Sequence, residues 1–250
     1  MARSFPSQTP LRIIHISFGL DVGGLEKLLL EFARHADALP AKLMFISLGA
    51  NGAVGDELRL AGWPVVCLHK PTGFHPEIVL QLVRLIRGAR ADVVHTHDAR
   101  ALIYGAPAAR LAGVGNVVHT HHGQGLGLSA RQLPLMRVAA RAARRFVCVS
   151  DDAAQMAQSQ WGVPVAKLLT IHNGVDVERF MPEGEVHDGW QDAGPLVAVA
   201  RLSPEKGIGT LLEAAAVARE TTPDLRVEIA GDGPCRDALL RQRDELGLDD

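Results

Sequence analysis

Short apolar runs alternate with longer amphipathic stretches along the whole chain. LRIIHIS (11–17), KLMFISL (42–48), PVVCL (64–68), ADVVHTH (91–97), NVVHTH (116–121) and RFVCVS (145–150) are largely apolar at consecutive positions. Strands covered on both faces read this way. Between them, residues 23–37, 54–62, 76–90, 99–113, an arginine-rich stretch within 131–146, and 151–162 carry apolar residues at helical spacing. The pattern predicts a parallel sheet with helices on both faces, a doubly wound α/β domain.

Residues 167–182 add one more strand and a turn, after which EGEVHDGWQDAG (183–194) is polar and glycine-bearing. A second alternation follows: strand 195–202, a helix from about Lys206 to Glu220, strand 225–231 and helix 236–247. The expected organisation is a first domain over 1–182, a linker over 183–194 and a second domain over 195–250. Two strands and two helices are few to bury both faces of a parallel sheet. The second domain is therefore expected to be incomplete and the chain truncated.

Composition narrows the function classes. The chain has 250 residues, 47% hydrophobic and 22% charged, with a net charge of -2. Residues 1–182 carry 19 basic against 13 acidic side chains, whereas 183–250 carry 7 against 15. The basic first part, centred on RQLPLMRVAARAARRF (131–146), is either a surface for an anionic partner such as a membrane or a solvated arginine-rich face. Seven Phe, three Trp and one Tyr leave little for stacking bases, which argues against nucleic acid. No apolar run is long enough to span a membrane, and MARSFPSQTPL lacks the apolar core of a secretory signal. A cytosolic location is expected, peripheral to the membrane if the basic surface meets one. Cys67, Cys148 and Cys235 lie far apart without metal-finger spacing and read as buried free thiols.

Four motifs fall where strands end, which is where open α/β sheets collect ligands. FGLDVGGLE (18–26) places Gly23 and Gly24 before a helix, allowing either close approach of an anion or merely a tight turn. HTH (95–97) and HTHH (119–122) put His95 and His97 on one strand face and His119 and His121 on another, with His122 pointing elsewhere. These histidines could converge on a metal, but no carboxylate or thiolate is spaced as a partner. Core histidines bonded to neighbouring loops are the plainer account of His15, His95 and His119. VARLSPEKG (199–207) brings Arg201 to a strand terminus and Lys206 to a helix N-terminus. Together they could clamp a diphosphate; equally, Glu205 could tie either one into a surface ion pair. AGDGP (230–234) offers Gly231 and Gly233 beside a nucleotide, or in an ordinary turn.

Taken in order, RIIHISFGLDVGGLE, DVVHTH, VVHTHHG, VCVSD, IHNGVDVERF, VARLSPEKG and AGDGP resemble glycosyltransferase family 4 over nearly the whole chain. The resemblance implies a fold of the GT-B type, with two facing Rossmann-like doubly wound domains, and retaining transfer from a nucleoside-diphosphate sugar to a hydroxyl acceptor. It implies that Arg201 and Lys206 hold the donor diphosphate, and that Gly23 and Gly24 approach it across the cleft. His122, in the pattern Thr120, His121, His122, Gly123, matches a histidine near the reacting sugar. Asn173, Gly174 and Asp176 match a turn near the hinge, and Gly231 and Gly233 match glycines beside the nucleotide. No metal or other cofactor is implied. A closer likeness to transferases of bacterial exopolysaccharides implies a lipid-linked or envelope glycan as acceptor. The family also carries a pair of glutamates further on, for which Glu245 cannot stand in, so the chain alone is expected to be inactive. The competing readings are a nucleotide-sugar 2-epimerase of the same architecture, a non-catalytic subunit completed by a partner, and a histidine-rich metalloprotein.

Overall fold

The computed structural model describes residues 9–36, 40–123, 132–181 and 194–248. The chain divides into two compact units, residues 1–175 and 176–250. All of the expected linker except Gly194 lies outside the described residues.

The first unit is built on the strands β1 (Leu11–Ser17), β2 (Ala41–Ser47), β3 (Val65–Cys67), β4 (Val93–Thr96), β5 (Val117–His121), β6 (Arg145–Cys148) and β7 (Leu168–Thr170). They form one sheet in the order β3-β2-β1-β4-β5-β6-β7, every pairing parallel. The helices α1 (Gly24–Arg34), α2 (Ala53–Leu60), α3 (Glu77–Gly88), α4 (Ala99–Leu111), α5 (Leu133–Ala142) and α6 (Asp151–Trp161) are the crossovers. This is the doubly wound domain that the alternation predicts.

In parallel pairing, residues in register share a face. The register Ile14 to Val94 and Ile16 to Thr96 sends one set of side chains into a core with Leu82, Ile86, Leu102, Phe146 and Trp161. The alternate set, with Ile13 and Phe45, meets Leu29, Leu30, Val54 and Leu58 of α1 and α2. Helix α4 lies close on the first of these faces because Gly105 has no side chain. A Cβ there would come within 2.8 Å of Thr96 Cγ2. Asp98 caps α4 by accepting from the Ala101 N–H at 2.9 Å, and Ser150 caps α6 through Ala153.

The second unit contains β8 (Leu196–Val199), α7 (Ile208–Arg219), β9 (Val227–Ala230) and α8 (Arg236–Glu245), with β8 and β9 parallel. Val197 and Val199 are exposed. Two expectations need correction. The helix expected from Lys206 begins at Ile208, because Gly207 turns left-handed at φ 64° and separates it from a short 3-10 turn over Pro204–Lys206. Of the three cysteines only Cys148 is buried, its thiol pushed up to about 11 by desolvation. Cys67 and Cys235 are partly exposed, since the first sits in the short strand β3 near the sheet edge and the second at the start of α8. Among the described residues no helix is long and apolar enough to cross a membrane.

Phe146 is fully buried and packs at a tilt against Trp161, with ring centroids 5.9 Å apart. Replacing it with alanine should cost about 3–5 kcal/mol of unfolding free energy in denaturant titration. Val138→Ala, at an exposed site on α5, should stay within about 0.5 kcal/mol.

Candidate functional site

The sheet reverses its winding between β1 and β4, and the crevice outside such a switch point is where doubly wound sheets bind ligands. The segment after β1 runs through Phe18 to Gly23 into α1. Asp98 holds it to the start of α4, accepting the Phe18 N–H at 2.6 Å as well as that of Ala101. Burial pushes the Asp98 carboxyl up, against those N–H bonds. Gly23 is extended, and a Cβ on it would meet only the movable carboxylate of Glu26; a Cβ on Gly24 would meet nothing. Neither glycine is demanded by packing within the fold. The N-cap of α1 is Gly23, which has no side chain to cap the helix, and the Glu26 carboxylate of the first turn lies against it.

Six histidines follow from the strand register. His15 and His95 are register partners on β1 and β4, so their rings lie on the face beneath α1, 5.1 Å apart at their centroids. His97 lies one residue past β4 on the same face. His15 Nδ1 is 2.8 Å from His97 Nε2, and His97 Nδ1 is 3.3 Å from His122 Nε2. His97 therefore bridges the buried His15 to His122 at the end of β5. His95 Nε2 bonds Thr120 Oγ1 at 2.8 Å. On the opposite face Thr96 Oγ1 bonds His119 Nδ1 at 2.9 Å, and His121 meets the Trp161 ring edge-on at 4.8 Å. The alternation is as the sequence predicts, and His122 joins the face of His95 and His97. The partners are so only in part: His15 bonds His97 in the loop just past β4, whereas His95 and His119 bond to threonines on adjacent strands, because parallel register places those groups side by side.

Burial dominates the protonation of this group. Desolvation lowers His15, His121 and His122 to about 4, with His122 adding to the effect on His121. His95, His97 and His119 are pushed well below the ordinary value by desolvation first and by their neighbouring imidazoles second. All six are neutral at pH 7. A neutral bridge has one proton per ring, so His97 donates from one nitrogen and accepts at the other. His122 Nδ1 is buried without a hydrogen-bond partner among the described residues. Ring nitrogens of His15, His95 and His97 also lie within 4.8 Å of one another. That trio supplies three imidazole ligands of the kind zinc accepts.

In the second unit, Arg201 and Lys206 lie in the segment leaving β8. The loop ends are laced together: Leu202 N–H donates to Asp232 O at 2.9 Å, and Cys235 N–H to Leu202 O at 2.9 Å. A Cβ on Gly231 would strike the Ala200 carbonyl oxygen, and one on Gly233 the Leu202 carbonyl oxygen. Both glycines are required by this close approach of backbone to backbone. Arg201 pairs with Glu205 (Nη2 to Oε1, 3.2 Å), which also accepts the Ser203 hydroxyl at 2.7 Å. The ion pair that the sequence left open is formed, with both side chains more than half exposed. Glu205 is held below its usual range, first by Ser203. Asn173 and Gly174 are exposed in the coil after β7, and Asp176 closes its turn by accepting from the N–H groups of Glu178 and Arg179 at 3.0 Å.

Sequence reasoning missed the His15–His97–His122 bridge and the double role of Asp98. The second had a signal, an Asp directly before a helical run. The first needs the strand order, which no local pattern carries.

The sequence model of Glycosyltransferase Family 4 matches residues 22–179, and that of Glycosyl transferases group 1 matches 191–250. The UDP-Gal:alpha-D-GlcNAc-diphosphoundecaprenol alpha-1,3-galactosyltransferase of Escherichia coli is 27% identical over 91% of this chain and 63% of its own length. A GDP-mannose-dependent alpha-(1-6)-phosphatidylinositol monomannoside mannosyltransferase of Mycolicibacterium smegmatis is 30% identical over 69% of this chain and 47% of its own. The chain thus spans about two thirds or less of these relatives. Among solved structures, Anabaena HepE in complex with UDP and glucose superposes with a TM-score of 0.74 at 23% identity, over 96% of this chain and 67% of that one. This likeness fixes the fold class as α/β of the GT-B type.

The neutral histidines carry a pH dependence. An unfolded chain takes up protons below the ordinary value of 6.5 that the folded one refuses until about 4. Stability that is full above pH 6.5 should therefore be lost as pH falls from there toward 4. Denaturant midpoints measured from pH 8 to 4 should be level at first and then drop steeply, and a flat profile from 7 to 5 would contradict buried neutral imidazoles.

Proposed function

The chain belongs to Glycosyltransferase Family 4, and we propose that it supplies the first domain and part of the second of a retaining transferase. That enzyme moves a sugar from a nucleoside diphosphate to a hydroxyl of a lipid-linked or envelope glycan. The observation that carries this reading is the order of the two matched regions, the second of which contains Arg201 and Lys206 at the end of β8. The E. coli relative's name gives a nucleotide sugar and a lipid-linked acceptor, and the mycobacterial one a nucleotide sugar and a lipid. Both names carry an α linkage, the outcome of retention from an α-linked sugar diphosphate.

In this reading the acceptor oxygen bonds to the sugar's anomeric carbon as the bond to the diphosphate oxygen breaks, and the departing phosphate takes the acceptor's proton. Arg201 and Lys206 neutralise the charge that develops on the diphosphate, so no metal is required. The Arg201–Glu205 pair does not oppose this. An exposed ion pair is worth only about 0–1 kcal/mol, whereas a diphosphate offers the guanidinium fork a doubly bonded partner. Gly23 and Gly24 would admit phosphate oxygens to the start of α1 once the movable Glu26 carboxylate turns aside, and Asn173 and Gly174 would border the donor. Neutral His122 would present Nδ1 to a hydroxyl of the reacting sugar, its ring oriented by His97. Gly231 and Gly233 would act by setting the loop that carries Arg201. The exposed Leu135 and Val138 of α5, beside Arg137 and Arg141, would rest against the anionic inner face of the plasma membrane. Arg131 of that basic stretch lies outside the described residues.

Because the chain spans 63% of the E. coli relative, turnover is best measured on a protein of its relatives' length. There, Arg201→Ala or Lys206→Ala should lower kcat by about two orders of magnitude or more. Radiolabelled sugar should appear in the lipid fraction. Label recovered as an epimeric nucleotide sugar, or unchanged turnover in both variants, would remove the proposal.

A further inference from the structure

The loop that follows β3, Phe18 after β1, and the first turns of α4 and α5 enclose a cavity of about 510 Å³ that includes none of the histidines above. Its walls are mostly apolar, with Phe18, Phe74, Tyr104 and Leu135 among them, and two cations, Lys70 and Arg100, line it as well. The Lys70 ammonium stands 5.4 Å above the centre of the Tyr104 ring, and the Arg100 guanidinium 4.2 Å above that of Phe18. Aromatic faces thus hold both positive charges in place from beneath.

Among the described residues neither neighbouring acid pairs directly with these cations, although both act on them through space: Glu77 favours the charged Lys70, and Arg100 the charged Asp98. Glu77 is bonded to His75 Nδ1 at 2.7 Å, and His75 also bonds the Thr72 carbonyl through Nε2. With both ring nitrogens facing acceptors, His75 is favoured as a third cation, and its pKa is raised, first by Thr72 and then by Glu77. Asp98 attracts Arg100 electrostatically, but its oxygens are taken up by the N–H groups of Phe18 and Ala101. The Lys70 ammonium bonds the carbonyls of Pro71 and Gly73, which leaves one of its three protons unassigned. No hydrogen bond or ion pair engages the Arg100 guanidinium among the described residues. Lys70 is lowered by burial and then by Arg100, so the two cations feel each other.

A fold that brings two like charges together over aromatic rings, without closing them on a carboxylate, suits a ligand that is anionic at one end and apolar at the other. We propose that this cavity binds a lipid phosphate, with the phosphate bridging Lys70 and Arg100 and the first part of the hydrocarbon chain lying against Phe74, Tyr104 and Leu135. The volume lies within the usual range of small-molecule sites. The exposed apolar residues of α5 adjoin it through Leu135, so a chain could pass from cavity to bilayer across one helix. This names the anchor of the acceptor and rests on the reading of the acceptor as lipid-linked.

The test is isothermal titration of the protein at its relatives' length with farnesyl phosphate below its aggregation concentration, alongside farnesol and inorganic phosphate. Farnesyl phosphate should bind, and each of Lys70→Gln and Arg100→Gln should weaken it by about tenfold or more, the worth of one charge-assisted bond. Lys70→Arg should retain binding within about threefold, with thermal unfolding of all variants unchanged. Leu111→Ser, exposed at the far end of α4 and outside the cavity, should bind as the unaltered chain does. Equal affinity for inorganic phosphate would make this a free-anion site, and equal affinity for farnesol a nonspecific apolar one. Undiminished binding by the double variant K70Q/R100Q would place the lipid elsewhere. Each of these three results overturns the proposal. UDP titrated in parallel separates the two readings: failure of UDP to bind counts against the donor site alone and leaves the lipid-phosphate result standing.

Discussion

The parallel pairing of β1 with β4 is the constraint on which the first unit's chemistry depends. It joins the two halves of the winding and brings the loops after β1 and β4 to one crevice. Through its register it also sets His15 beside His95 on one face and Ile16 beside Thr96 on the other. Once those side chains are adjacent and covered by α1, water is excluded. The four imidazoles on that face, His15, His95, His97 and His122, cannot all be charged in one dry region, and the neutral state follows from burial before any specific bond is considered. The hydrogen bonds then distribute the remaining protons. Each bond from His15 to His97 to His122 has one donor and one acceptor, so the tautomer of one ring fixes that of the next.

The second unit is governed by a steric constraint rather than an electrostatic one. The loops leaving β8 and β9 run so close that Gly231 and Gly233 each face a carbonyl oxygen of the other loop. That contact holds residues 200–202 in place, and Gly207 with its positive φ turns the chain at the end of the 3-10 segment. Arg201 and Lys206 thus sit on a short, doubly anchored turn. Only the outward ends of their side chains are left to vary.

Much of this was legible in the sequence because the features are local or periodic. The strands and helices followed from alternation, and the separation of the histidines onto two faces followed from a period of two along each strand. What each histidine bonds was not legible, since Thr120 and Thr96 become partners only through the lateral order of the sheet. The thiols were misjudged for a related reason. An apolar run such as PVVCL implies burial, but β3 lies at the edge of its sheet and leaves Cys67 partly exposed. The cavity lined by Lys70 and Arg100 is assembled from four segments well separated along the chain, and neither cation belongs to a motif.

The glycines show how a sequence signal divides once packing is known. Gly23, Gly24, Gly231 and Gly233 all occupy strand-to-helix connections and read alike as places for a phosphate to approach. Gly231 and Gly233 have a sufficient cause within the fold, because any Cβ there collides with backbone, and a backbone clash cannot be relieved by moving a rotamer. Their identity therefore carries no information about a ligand. Gly23 would disturb only the end of a flexible side chain, and Gly24 would disturb nothing. Packing therefore does not select glycine at these two positions, whereas it does at Gly231 and Gly233.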